Sequence, residues 1–184
     1  MTRAKQLLTF SICVLITLAA SSWAQDEKGS LDAATRVYTS KNLSYSIKLP
    51  EGWKLNDALK SEEFFGKSSN DDLGANVSVL QASTPLSDKA VVQHIDLTQF
   101  ESKLDEMTHQ AGAPARRING TALSEGQHLT VFTIAIKPRD DAKIIQLTIW
   151  GPVEDMKRPE ISKDVDLLLS SFKPAPADTE KSHP

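Results

Sequence analysis

The chain of 184 residues carries 21 basic and 24 acidic side chains, a formal net charge of −3. That balance disfavours sequence-independent binding to nucleic acid or anionic lipid, which needs a positive surface. Its one cysteine, Cys13, lies in the N-terminal apolar run, so residues 25–184 have no disulfide framework and no cysteine metal centre.

Residues 1–24 read as an export signal. Arg3 and Lys5 give a positive start, Leu7 to Ala20 is mostly apolar, and Ser22-Trp23-Ala24 places small residues where a signal peptidase reads them, with cleavage expected after Ala24. The apolar run is short for a membrane span. Cys13 follows Ile12 in mid-run, which does not fit a lipid-anchor site, so no stable membrane anchor is expected. Loss of Arg3 and Lys5 leaves 19 basic against 24 acidic residues, about −5. The expected address is periplasmic or secreted. A mature chain of this length suits one domain with its own core.

Residues 25–35 are polar and read as a flexible segment, and the Pro/Ala-rich tail 174–184 reads as disordered for want of large apolar groups. Between them, 36–173 is the folded unit. Arg36–Ser40 is a short strand. Leu43, Tyr45, Ile47 and Leu49 alternate with polar residues as a second, ended by Pro50-Glu51-Gly52. Strands are also predicted over Glu62–Lys67 and Ala75–Ala82. Leu97, Phe100, Leu104, Met107 and Ala111 then fall at helical spacing, which predicts a long helix over about 88–110, capped by Ser87 or Asp88 and stopped by Gly112 and Pro114. Burial of its apolar stripe would contribute about 1.5–3 kcal/mol per large side chain.

Three strands come next, Arg116–Leu123, Gln127–Lys137 and Lys143–Trp150, joined by hairpin loops at Ser124-Glu125-Gly126 and 138–142. The last has apolar residues on both faces and is expected in the middle of a sheet. A helix over Glu160–Phe172 closes the domain with the stripe Ile161, Val165, Leu168 and Phe172. Strands segregated from helices in this way indicate an α+β class, an antiparallel β-sheet flanked by helices.

The run Tyr38-Thr39-Ser40, then Tyr45-Ser46-Ile47-Lys48-Leu49-Pro50-Glu51-Gly52-Trp53, resembles the opening of the PsbP-like superfamily, with Ser171-Phe172 matching its usual closing helix. That superfamily takes in the photosystem II extrinsic protein and DcrB-type bacterial envelope proteins. The resemblance covers most of 36–173. It implies an αβα sandwich and a non-enzymatic role in binding partner proteins or assisting their assembly. It transfers no binding residue.

Chemistry is sparse. Gly66-Lys67-Ser68 ends like a phosphate loop, but the glycine required five residues earlier is Ser61. On the predicted long helix His94, Thr98, Glu101, Asp105 and His109 form a polar stripe, and Asp105 with His109 is a metal-ligand spacing, set against a simple hydrated face. His128 reads as a structural histidine beside Thr130. No Gly-x-Ser-x-Gly is present. The sequons at Asn42, Asn76 and Asn119 are incidental in a bacterial protein. Trp53 and Trp150 are either core residues or the lining of a ligand groove. Of Phe64 and Phe65, neighbours on a strand, one must face away from the other and is a candidate anchor for a partner.

The sequence therefore points to an exported, non-enzymatic protein-binding or assembly factor of the bacterial envelope. No catalytic residue, metal or cofactor is assigned. Its partner is an envelope or secreted protein and not a nucleic acid. The alternatives are a carrier of a small apolar ligand in a helix–sheet pocket near Trp53 and Trp150, and a periplasmic immunity protein. The candidate surface is Trp53, Phe64, Phe65 and Trp150.

Overall fold

A computed structural model describes residues 29–40, 43–56, 63–67, 73–93, 95, 97 and 99–175. The predicted signal over 1–24 lies outside the described residues, as does the tail from 176. Two antiparallel sheets form the frame. The small one runs β1 (Ser30–Leu31), β2 (Val37–Ser40), β3 (Tyr45–Lys48) and β11 (Lys173–Pro174). The large one has the order β4 (Trp53–Asn56), β5 (Glu63–Lys67), β6 (Gly74–Leu80), β10 (Ile144–Pro152), β9 (Gln127–Ile136), β8 (Ala113–Ser124) and β7 (Glu101–Gln110). Among the described residues three helices complete the fold: α1 (Lys89–Gln93), α2 (Val153–Met156) and α3 (Pro159–Ser171).

The large sheet is covered on both faces. On one, Val77, Ile134 and Leu147 stand in register across β6, β9 and β10 and pack with α3 and the small sheet. The predicted stripe of α3 is buried there in full: Ile161, Val165, Leu168 and Phe172. Pro159 opens that helix at a position where its missing N–H costs nothing. On the other face, Leu86, Val91 and Ile95 from a strap over 81–100 cover Ile118, Val131 and Ile144. β10 is the middle strand of seven, as its two apolar faces predict.

The long helix does not form. Among the described residues of that segment only Lys89–Gln93 is helical, with Asp88 accepting the Ala90 N–H at 2.8 Å as a cap. Residues 101–110 are instead the edge strand β7. Ala111 and Gly112 have φ of +50° and +80°, the left-handed pair of a two-residue hairpin turn, and they place Gln110 opposite Ala113. Pairing along β8 then satisfies the backbone that a helix would have satisfied internally. Leu104 and Met107 remain 38% and 57% exposed, so the burial expected of the helical stripe is not realised there.

The folded unit also extends past the predicted boundaries. β1 lies inside the segment expected to be flexible, where the Asp32 N–H donates to Val37 O at 2.9 Å and the Asp32 carboxylate accepts the Ala34 N–H at 2.8 Å. At the other end Pro174 pairs with Tyr45, and the Ala175 N–H donates to Ser44 O at 2.8 Å. Backbone pairing, which needs no apolar side chain, orders both ends.

Candidate functional site

Two cations rising from the large sheet hold the strap down by its carbonyl groups. Arg116 on β8 donates to Leu86 O at 2.9 Å and Asp88 O at 2.7 Å, and its other two nitrogens meet Asp105 of β7 at 2.6 Å each. Lys137, just past β9, donates to Ala82 O at 2.8 Å and Thr84 O at 3.0 Å. The bidentate guanidinium beside Asp105 holds that carboxyl below the usual carboxylate range, and Asp105 in turn raises Arg116 further above its ordinary value. Arg116 is thus committed to structure.

This arrangement removes the metal reading. On a strand, Asp105 and His109 share a face but stand about 13 Å apart at four residues' spacing, and Asp105 is already paired. His94 and Thr98 lie outside the described residues. Among the described residues no three His, Asp or Glu side chains gather in a way that would hold a metal ion. Gly66-Lys67 belongs to β5, where Gly66 pairs with Lys54 and Gly74, and is not a loop leading into a helix. His128 is exposed on β9.

The two tryptophans of the predicted surface do not converge. Trp53 is 2% exposed in the α3-side core, its indole N–H donating to Asp164 at 3.0 Å. Trp150 packs on the strap side, its ring so close to the Gly74 backbone that an added Cβ would lie 2.6 Å from it. The two indoles sit on opposite faces of the sheet, so a single groove lined by both is ruled out. Phe64 and Phe65 stand opposite Asn76 and Ala75 on β6; their side chains lie outside the described residues.

Buried polar groups do gather beneath the strap. Gln146 is fully buried on β10, opposite Ser78 and Ala135, and neither atom of its amide has a hydrogen-bond partner among the described residues. Beside it the Thr133 hydroxyl donates to that of Thr148 at 3.2 Å. Replacing Gln146 by the similarly shaped Met relieves an unpaired buried amide. Gln146→Met is expected to raise the unfolding free energy by about 1–3 kcal/mol, read from the midpoint of a urea transition at unchanged slope. A lowered midpoint contradicts this account.

Among the described residues three surface features remain open, and sequence reasoning identified none of them. The first is β7, which among the described residues has a neighbour on one side only and carries the exposed Leu104 and Met107. Three residues apart on a strand, these point to opposite faces. The second is a cavity of about 390 Å3 where the small sheet meets the β9–β10 hairpin, floored by Val79 and Ile145. A further, more polar hollow of about 450 Å3 separates β7 from α3. There Gln110 donates to the free carbonyls of Leu169 and Phe172, each at 3.0 Å, and so caps the helix end.

No family model matches the chain, and no curated protein matches it significantly. Solved structures do. Cyanobacterial PsbP from Synechocystis is 16% identical with a TM-score of 0.55, over 79% of this chain and 96% of that one. The Ran-binding protein Mog1p of Saccharomyces cerevisiae is 11% identical at 0.53, over 78% and 96%. LpqN of Mycobacterium tuberculosis, involved in cell envelope biogenesis, is 15% identical at 0.51, over 72% and 83%. At such identities the likeness is one of fold. The chain has the PsbP-like α+β fold, two antiparallel sheets with a few helices.

Proposed function

We propose that this PsbP-like chain is an exported, non-enzymatic accessory factor of the bacterial envelope that docks an extended segment of another envelope protein along β7. The observation that carries this reading is that β7 ends the seven-stranded sheet among the described residues, with Met107 and Leu104 exposed beside it. A partner segment adds as an eighth strand: main-chain hydrogen bonds supply affinity, and the two apolar side chains supply contacts on either face. The shift of register between Ser102 and Leu104, with Lys103 and Glu106 nearby, guards the same edge against indiscriminate pairing. The reading takes support from two relatives of the same fold, one Ran-binding and one involved in envelope biogenesis, and from the signal-like residues 1–24. No membrane-spanning helix is found among the described residues. No cofactor is required.

A photo-crosslinking residue at position 107, in cells producing the chain, is expected to trap a defined adduct that the same group at the exposed hairpin residue Glu125 does not. Substituting Leu104→Lys and Met107→Lys together should weaken the complex by about thirtyfold or more, the loss of one central apolar anchor, with the thermal midpoint unchanged. Equal labelling at 107 and 125, or undiminished binding by the double variant, ends this reading.

A further inference from the structure

The cavity of about 390 Å3 has a chemistry of its own, independent of the docking edge. Its floor is Val79 and Ile145, direct cross-strand partners on β6 and β10. Leu43, in the turn before β3, and Pro174 of β11 form one wall, held together by the Ala175 N–H to Ser44 O bond. The β9–β10 hairpin forms the other wall and brings two cations, Arg139 and Lys143, to the rim. Apolar surface is thus continuous below, and positive charge lies on one side of the mouth.

Arg139 reaches Asp141 at 3.3 Å, with both side chains largely in water. An exposed pair of this kind contributes little, so the guanidinium can exchange Asp141 for a ligand carboxylate at small cost. The volume falls within the roughly 300–1,000 Å3 usual for small-molecule sites. It accommodates one medium acyl chain and is too small for a two-chain lipid. The acidic balance of the whole chain also disfavours an anionic bilayer surface, so a ligand of this kind is taken one molecule at a time.

The geometry points to a binding site for a single-chain carboxylate amphiphile, a free fatty acid of medium length. Its hydrocarbon lies on Val79 and Ile145, and its carboxylate meets Arg139 and Lys143.

Calorimetric titration of the purified chain with dodecanoate, below its micelle concentration, tests this. Saturable binding of one ligand per chain is expected. Affinity should fall about fourfold for each methylene removed toward octanoate, and dodecanol should bind at least tenfold more weakly. Arg139→Gln with Lys143→Gln should bring dodecanoate down to the level of dodecanol. Ala142→Trp, which fills the cavity from the hairpin, should abolish binding at an unchanged thermal midpoint; if that variant does not fold, Val79→Phe makes the same test from the floor. Absence of saturable binding, full binding by a folded cavity-filling variant, or equal affinity for acid and alcohol overturns the proposal.

Discussion

Arg116→Met is expected to lower the unfolding free energy by about 1–3 kcal/mol, the range for leaving a buried polar group without its hydrogen-bond partner. The side chain is 10% exposed and serves two elements together, the β7 carboxylate and the strap carbonyls of Leu86 and Asp88. Methionine fills much of the volume and replaces none of the donors. Asp105 is partly in water and can rehydrate, whereas Leu86 O loses a buried partner, so the strap is the element that loosens. Limited proteolysis should then cut within 81–100 before anywhere else. An unchanged urea midpoint, or first cleavage elsewhere, contradicts the clamp.

The same pair gives a signed pH dependence. The folded-state pKa of Asp105 is depressed, so its contribution is complete above the unfolded value of about 3.9 and is lost as pH falls through the folded value. Wild type should therefore lose more stability than Asp105→Asn on acidification below about pH 4. Parallel profiles for the two proteins would remove the linkage.

Phe172→Ala should cost about 3–5 kcal/mol. Phe172 closes α3 and is fully buried, its ring centroid 5.3 Å from that of Tyr45, which in turn lies 6.2 Å from Tyr38. This aromatic row joins the small sheet to the helix. The Lys48 N–H to Ser171 hydroxyl bond, 3.0 Å long, is a second tie at the same seam. Ser171→Ala removes that exposed hydrogen bond together with the longer ones the hydroxyl donates to Lys48 O and Leu168 O, and should cost about 0.5–1.5 kcal/mol. Chemical denaturation of both variants, with tyrosine near-ultraviolet dichroism reporting on the row, separates the contributions. Comparable losses in the two would show that the ring packing is not what holds the small sheet.

Where a segment buries one face or both, its pattern is readable. Tyr45, Ile47 and Leu49 alternate because β3 has one face on the core, and β10 carries apolar residues on both faces because both are covered. The α3 stripe repeats at helical spacing because one side of the helix meets the sheet. The binding surfaces are not readable in this way. The residues that stand out by size, Trp53 and Trp150, turn inward on opposite faces, since large aromatic groups contribute most when buried. Leu104 and Met107, whose spacing assigns them to a buried stripe, are exposed. The cavity draws its lining from segments more than a hundred residues apart, and no local pattern records that meeting.

Alternation and apolar spacing are enough to settle the α+β class, the central place of β10 and the buried stripe of α3, because burial imposes a period on the side chains that make it. Residues 101–110 lie outside that rule. An edge strand open to water on both faces is under no such constraint, so its chance helical spacing is free to mislead. The same left-handed pair of turn residues occurs at Ala111-Gly112 and Glu125-Gly126. At the second, apolar strands on both sides make the hairpin legible; at the first, only pairing with β8 decides between a helix end and a turn. Tertiary structure chose the strand because an existing sheet edge offered a partner to every second backbone group, a gain that exists only once β8 is in place.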